Sequence, residues 1–357
     1  MKTSVTLLLI VLSVTALCVV NLSNVWADNN CWTTKTSMPT ARAGLGVAAV
    51  NGKIYAIGGW YPCPINTTEE YNPSTDMWSS KQAMPTARMF FGTAVYQDKI
   101  YVMAGKIGQK ATNATEVYDP STDTWTTKTS MPIACYDLSA NLVNGKIYLI
   151  GGIKPLNGNN ITCINTTQIY DPTTDTWTIG TPIPNAVYCY ASAVVDHKIY
   201  VISGSTLSPN TVTNLTQVYD TETDTWSTQA PITTPVNAPA GISITSGDSS
   251  KIYVIGGGGI QFKTTYNLTQ IYDVRSNSWS TGVSLPSCSF TLGVAELDET
   301  LYVVGGADDL AAKNCVYALG LGSGGPDFPV AAILVTSMIL VVAFGLFLRY
   351  QINKKST

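Results

Sequence analysis

The chain has 357 residues, of which 45% are apolar and 12% charged, and its formal net charge is −3. This apolar content excludes a disordered chain, and the nearly neutral charge excludes a basic surface for nucleic acid. The length suffices for one large domain or two ordinary ones.

The first 27 residues predict a secretory signal peptide. Lys2 precedes an apolar run from Val5 to Val20, and Ala27 offers a small residue at a cleavage site. An uncleaved anchor helix is the alternative, because the apolar run is nearly long enough to cross a bilayer. Cleavage would leave residue 28 onward outside the cytoplasm.

A strand-like segment that ends in a glycine pair organises the rest of the chain. Lys53 to Gly59 reads Lys-Ile-Tyr-Ala-Ile-Gly-Gly, and related segments recur every 46 to 53 residues. The related segments begin at Lys99, Lys146, Lys198, Lys251 and Thr300. Asn144-Gly145, before the third copy, is a strong hairpin signal. The following run is apolar on both sides, as expected for a strand covered on both faces.

A second motif, with Tyr and Trp seven positions apart, follows five of these segments. Tyr170 to Trp177 is one copy, and the others begin at Tyr71, Tyr118, Tyr219 and Tyr272. Asp171-Pro172 within it predicts a type I turn. Each repeat therefore predicts four short strands, and no helical periodicity is found between the two termini.

Four-stranded units with a period of about 50 residues are typical of β-propeller blades. The glycine pair, the Tyr and the later Trp resemble the kelch-repeat family over about residues 29–320. Ala104-Gly105 and Ser203-Gly204 depart from the pattern by keeping only the second glycine. The resemblance implies an all-β, six-bladed kelch β-propeller spanning 28–320. The last unit lacks a Trp, so the strand at Trp32 is predicted to join it and close the ring.

The cysteines and the single histidine limit the chemistry. No Cys-x-x-Cys and no Cys/His metal spacing is present, so we predict no metal and no cofactor. A disulfide between Cys31 and Cys315 would lock the shared blade, although the hairpin register does not set them opposite and the pairing stays open. His197 lies in a predicted turn, so no His-dependent triad can be built.

Binding residues are expected on the face that carries the long, variable loops. In kelch proteins that bind peptides, an arginine after the Met-Pro position points at the channel mouth. The resemblance implies that role for Arg42 and Arg88, and tying of loops is the alternative. The other candidate ligand-binding residues are Trp60, Tyr61, Phe90, Tyr136, Asp137, Tyr188 and Tyr190, for which packing between loops is the alternative. The same face is predicted to carry Lys106, Lys154, Phe262, Tyr266, Asp308 and Asp309.

These features predict a non-catalytic binding module for protein or carbohydrate. A sugar mutarotase or epimerase on the same scaffold is the alternative, by analogy of fold, because such an enzyme needs only a few carboxylates and polar groups. A purely structural envelope protein is a third possibility. The oligomeric state cannot be read from the sequence.

Asn-x-Thr sequons predict N-glycosylation in a secreted chain. Five of them precede the repeat Tyr by five residues and a sixth lies in a loop; their asparagines are Asn66, Asn113, Asn160, Asn165, Asn214 and Asn267. Because copied repeats also copy their sequons, these matches are not independent signals.

The C-terminus predicts a membrane anchor. Phe328 to Leu348 is apolar and uncharged over 21 residues, after a flexible linker at 321–327. Arg349, Lys354 and Lys355 follow, so the tail at 349–357 is expected in the cytoplasm and the propeller at the cell surface. A sorting signal that is later removed is the alternative.

Overall fold

Six four-stranded antiparallel sheets form the six blades of an all-β propeller. The computed structural model describes residues 31–156, 160–259, 264–287, 289–309 and 311–321, and no helix is found among them. The predicted signal peptide, the linker after Leu321, the transmembrane helix and the tail lie outside these residues. None of the described segments is a helix that could cross a membrane.

The strands are short, most of them five residues long. In the first half of the chain they are β1 (Thr33–Lys35), β2 (Gly46–Val50), β3 (Lys53–Ile57), β4 (Thr68–Asn72), β5 (Met77–Lys81), β6 (Gly92–Tyr96), β7 (Lys99–Met103), β8 (Lys106–Ile107), β9 (Lys110–Ala111), β10 (Thr115–Asp119), β11 (Thr124–Lys128), β12 (Ala140–Val143), β13 (Lys146–Ile150), β14 (Ile153–Pro155), β15 (Ile161–Cys163), β16 (Thr167–Asp171) and β17 (Thr176–Gly180). In the second half they are β18 (Ala191–Val195), β19 (Lys198–Ile202), β20 (Ser205–Leu207), β21 (Asn210–Val212), β22 (Thr216–Asp220), β23 (Thr225–Gln229), β24 (Ala240–Ser246), β25 (Ser249–Ile255), β26 (Thr269–Asp273), β27 (Ser278–Thr281), β28 (Gly293–Leu297), β29 (Thr300–Val304) and β30 (Val316–Gly320).

The first five blades run outward from the central channel in chain order, as the third blade shows. Its inner strand β12 pairs with β13, then β16 and β17 follow, with Ile147 opposite Tyr170 and Tyr170 opposite Trp177. The Asn144-Gly145 turn has positive φ at both residues, as a type I′ hairpin requires. The inner strands of neighbouring blades lie side by side, so β2 contacts β6 and β28. Because the four strands of a blade alternate in direction, the loops between its second and third strands and the connections to the next blade leave on one face of the ring. This is the long-loop face.

The backbone angles of the glycine pair explain why its second position is glycine in all six repeats. The second glycines have φ between 89° and 111°, for example Gly105 at 111° and Gly204 at 89°, a region that only glycine adopts readily. The first position has φ near the left-handed helical value, 66° at Ala104 and 60° at Ser203, which other residues tolerate at a cost. Ala104 and Ser203, which replace the first glycine of their pairs, therefore leave the fold of their blades intact.

The sixth blade contains strands from both ends of the described chain. Its outer strand is β1, which pairs antiparallel with β30 so that Thr34 lies opposite Tyr317. Trp32 Nε1 donates a hydrogen bond to the carbonyl oxygen of Val283, at 3.0 Å, in the preceding blade.

The Tyr and Trp of each repeat form a clasp between neighbouring blades. In the third blade Tyr170 donates to Asp175 Oδ1 at 2.6 Å, and the same oxygen accepts the N–H of Thr129 at 2.9 Å. Trp177 Nε1 donates to the carbonyl oxygen of Thr129 at 2.9 Å. The same bonds recur in the other blades that carry the motif, with Asn277 in place of the aspartate in the fifth.

Replacing Asp175 tests this clasp. Alanine would leave the Tyr170 hydroxyl and the Thr129 amide without their acceptor and would occupy a position with φ of 53°. We expect a loss of about 2–3 kcal/mol in the free energy of unfolding, measured by urea titration. Asp175→Asn, which reproduces Asn277 of the fifth blade, is the control and is expected to cost less than about 1 kcal/mol. An equal loss in both variants would contradict this account.

The predicted disulfide between Cys31 and Cys315 is wrong for this structure. Cys315 is a free thiol whose Sγ lies 3.8 Å from the carbonyl oxygen of Gly305. Extending the register of β1 and β30 places Cys31 opposite Gly320, about 16 Å along the strand from Cys315. A disulfide needs its Cα atoms within about 7 Å, so the shared blade is joined by backbone pairing instead.

Candidate functional site

The two arginines expected at the channel mouth are fully buried away from it. Arg42 forms an ion pair with Glu69 at 2.5 Å, and Arg88 pairs with Glu116 at 2.8 Å. Arg42 also donates to the carbonyl oxygens of Ala56 and Thr67. Burial lowers the pKa of Arg42 to about 10, against the opposing effect of Glu69. The predicted placement at the mouth is wrong, because these side chains tie the loops between strands.

The third, fourth and fifth blades have a glutamine in place of the glutamate, whereas the sixth has Ser289 and Tyr317 at the positions of Arg42 and Glu69. Where Arg42 stands in the first blade, the fourth has Val187, and Gln217 occupies the position of Glu69. Gln217 accepts the N–H of Asn185 and donates to its carbonyl oxygen, both at 3.0 Å. Arginine therefore occurs only in repeats that also carry the glutamate. That co-occurrence is the signal in the sequence that could have identified the arginines as structural.

A ring of backbone hydrogen bonds surrounds the channel mouth. Six residues, one from each blade, have positive φ, and each donates its N–H to the carbonyl oxygen of the equivalent residue in the preceding blade at 2.7 to 3.0 Å. In chain order they are Gly44, Phe90, Asp137, Cys189, Ala238 and Thr291. The bond from Gly44 to Thr291 joins the first blade to the sixth. The ring holds these side chains at fixed positions around the channel axis.

A pocket of about 420 Å³ opens above this ring on the long-loop face. Four aromatic side chains line it, Trp60, Phe90, Tyr188 and Phe290. Three carboxylates, Asp137, Asp308 and Asp309, also line it. The structure thus brings together Trp60, Phe90, Asp137 and Tyr188 from the predicted set. Phe290 was not among the predicted residues. Its position could have identified it, because it directly follows Ser289, the repeat equivalent of Arg42.

The remaining predicted aromatics lie around the pocket rather than in it. Tyr190 is buried, donates to the carbonyl oxygen of Ile150 at 2.5 Å and lines a second cavity of about 180 Å³ deeper in the channel. Tyr136 is buried below Lys106, whose Nζ lies 5.1 Å from the ring centroid. Tyr61 is exposed beside Trp60. Packing between loops therefore accounts for Tyr136 and Tyr190, while Tyr61 is free to contact a ligand.

Asp137 is the carboxylate with the most altered acidity at the mouth. Its removal from water raises its pKa to about 7, while a hydrogen bond from Cys189 and the charge of Lys106 act in the opposite direction. Burial, followed by the charge of Asp137, raises the pKa of the Cys189 thiol well above its usual range. Asp137 therefore changes its charge near neutral pH, as groups at functional sites often do.

Asp137→Asn should change how stability depends on pH. Because the folded pKa is raised, the fold favours protonated Asp137, and stability is lost as pH rises from about 4, the unfolded pKa, to about 7. Asparagine has no such titration and tolerates the left-handed backbone at this position. We expect the variant to have the parent's melting temperature at pH 4 and a higher one at pH 8. A parent that gains stability over this range relative to the variant would contradict the raised pKa.

Five of the six predicted glycosylation sites lie on the same face as the long loops, just before the third strand of a blade, and Asn160 directly precedes β15. Asn113, Asn160, Asn165 and Asn214 are exposed, whereas Asn66 and Asn267 are half-buried. Asn113 Nδ2 donates to the carbonyl oxygen of Met131 at 3.0 Å. Asn113 therefore also has a structural role, and glycosylation of the six asparagines stays a prediction.

Comparisons with known proteins agree with this architecture. The model of the KLHDC2/KLHL20/DRC7 Kelch-repeats domain matches residues 13–152 and 126–306. The chain belongs to the kelch-repeat family. Among curated proteins, this kelch chain is 28% identical over 171 residues to the Kelch-like protein terF of Aspergillus terreus. The match covers 46% of this chain and 37% of that protein, so the kelch chain spans well under half of the relative's length.

A solved structure supports the fold alone. The structure of YjhT matches this kelch propeller with a TM-score of 0.69 at 16% identity, covering 81% of this chain and 98% of that one. At this identity the likeness extends to the arrangement of blades and does not carry over a ligand or a reaction.

Proposed function

We propose that this kelch propeller is a non-catalytic interaction module that binds a protein or carbohydrate ligand at the mouth of its long-loop face. The observation that supports it is the pocket of about 420 Å³ walled by Trp60, Phe90, Tyr188 and Phe290. Concave sites with aromatic walls and a few polar groups are the usual form of a binding site. The kelch fold is consistent with interaction with other proteins.

The proposed setting is the cell surface. The apolar run at 328–348 and the basic residues after it support a single membrane anchor with a cytoplasmic tail, and the segment at 1–27 supports secretion. In this setting the sequons would carry glycans around the long-loop face. We also propose that the pairing of β1 with β30 closes the ring of the mature protein.

The test uses the full-length chain in lipid nanodiscs, probed against a glycan array and a peptide array. We expect saturable binding to one class of ligand, and its loss in Trp60→Ala. Met77→Ala is the matched control, because Met77 is also exposed but lies on the outer strand β5, away from the mouth. Unchanged binding by Trp60→Ala would place the site elsewhere.

A sugar mutarotase or epimerase activity is the second candidate, and Asp137 is the observation that favours it. A carboxyl group whose pKa is raised to about 7 in a cavity can exchange a proton near neutral pH. Exchange between sugar anomers, followed by NMR with the parent chain and with Asp137→Asn, separates the two functions. Turnover that disappears in the variant would favour the enzyme, and its absence in the parent would exclude the sugars tested.

A further inference from the structure

The pocket at the mouth combines aromatic walls with negative charge. Asp137, Asp308 and Asp309 line it, and no lysine or arginine is among the lining residues that the structure describes. Lys106 approaches Asp137 from β8, and Lys313 forms an ion pair with Asp308 at 3.2 Å. Asp309 is exposed and accepts a hydrogen bond from Thr265 Oγ1 at 2.7 Å. Among the described residues, three carboxylates beside two lysines leave the mouth negative once Asp137 has lost its proton.

Aromatic faces beside carboxylates attract cations. The ring faces of Trp and Tyr attract an ammonium or guanidinium group, and the attraction grows when the cation leaves water. The mouth already shows such a contact between Lys106 and the Tyr136 ring. A negative pocket repels an acidic side chain, and burial of both arginines removes the groups that would have bound one. The charge of the pocket therefore favours a basic ligand.

An apolar rim lies on the first three blades, and apart from Trp60 its side chains lie outside the pocket lining. Five of the seven exposed large apolar side chains in the described part of the chain lie there, between 37% and 49% exposed: Trp60, Tyr61, Ile107, Leu156 and Ile161. The last three belong to or adjoin the extra hairpins β8–β9 and β14–β15, which contact one another. Exposed aliphatic side chains grouped in this way are typical of surfaces that bind proteins and offer little to a sugar.

We propose, on the basis of the interaction function above, that the ligand is a protein segment that inserts a lysine or arginine side chain into the mouth pocket. The cation would lie between the aromatic walls and the carboxylates. Apolar residues beside it in the segment would cover the rim formed by Ile107, Leu156 and Ile161. Aromatic and charged contacts would then fix the position of the segment, and the rim would add buried apolar area.

The experiment uses pools of short synthetic peptides with one central residue fixed as Lys, Arg, Ala or Glu and apolar residues at random around it. Binding of each peptide pool to the full-length chain in nanodiscs is measured at pH 8, where Asp137 is charged. We expect the Lys and Arg pools to bind at least about tenfold more tightly than the Ala and Glu pools. Asp309→Asn and Ile107→Ser should each weaken binding of the basic pools.

Two control variants isolate the pocket and the rim. Asp196→Asn removes the same charge at a turn on the opposite face, and Ile179→Ser removes an aliphatic side chain from β17 that is more exposed than Ile107. Neither should change binding. Preference for the Glu pool, or equal binding of all pools, would overturn the inference. Binding to glycans in place of peptides would overturn it as well, while leaving the interaction function intact.

Discussion

Arg42→Ala is expected to lower the free energy of unfolding by about 3–5 kcal/mol, because it leaves the Glu69 carboxylate buried without its partner. It also leaves the carbonyl oxygens of Ala56 and Thr67 without their donor. The loss is measured by urea titration of the full-length chain. Ligand binding at the mouth should survive under conditions where the variant stays folded, since Arg42 does not line the pocket.

The chain supplies the control for this variant in its own fourth blade. The double variant Arg42→Val with Glu69→Gln reproduces the pair Val187 and Gln217, in which a neutral amide bonds to the loop backbone. Replacing a buried ion pair by neutral groups is often nearly neutral, whereas removing one partner is costly. We therefore expect the double variant to recover most of the stability that Arg42→Ala loses. A double variant as unstable as the single one would show that the glutamate charge is not the cause.

The scaffold could be predicted from the sequence because each of its requirements recurs. The second glycine is fixed by its backbone angle and recurs in all six repeats, and the Tyr and the Trp are fixed by the clasp between blades and recur in the first five. The pairing register of neighbouring strands could be predicted from tight turns such as Asn144-Gly145. Departures at Ala104 and Ser203 were harmless because that position tolerates other residues.

The roles of single side chains were harder to predict because a position does not reveal its partner. Arg42 lies where the family places ligand-binding arginines, yet Glu69, which is 27 residues later, draws it into the interior. Cys31 and Cys315 share a blade, yet the antiparallel register separates them along it. Both outcomes depend on which residues face each other across strands, and repeat counting does not supply that.

The walls of the pocket were only partly predictable because they come from loops without a common pattern. Trp60, Phe90 and Tyr188 could be placed from their distance to the glycine pair and the Met-Pro segment. Asp308 was also expected on this face, whereas Phe290 comes from the sixth blade, where the repeat is most altered, and was not predicted. The ring of left-handed residues would have located Phe90, Asp137 and Cys189, but backbone angle is not visible in residues other than glycine.

A chain without residues 31–35 is expected to unfold about 10 °C below the parent. It would lack β1, which pairs with β30, and it would lack the Trp32 side chain, which packs on the cluster that contains Leu285 and Leu319. The loss of about 3–5 kcal/mol combines an unpaired strand edge with removal of a large aromatic side chain. Thermal unfolding of the full-length chain with this single deletion, followed by circular dichroism, measures it.

Adding the missing strand as a peptide distinguishes loss of pairing from a general effect of shortening. A peptide of residues 32–37 should raise the melting temperature of the truncated chain, by adding a strand to the free edge of β30. The same peptide with Trp32→Ala is the control and should restore less. A truncated chain that melts with the parent would mean that β1 is dispensable. The ring of backbone hydrogen bonds at the channel mouth, in which the Gly44 N–H donates to the carbonyl oxygen of Thr291, would then suffice to hold the sixth blade against the first.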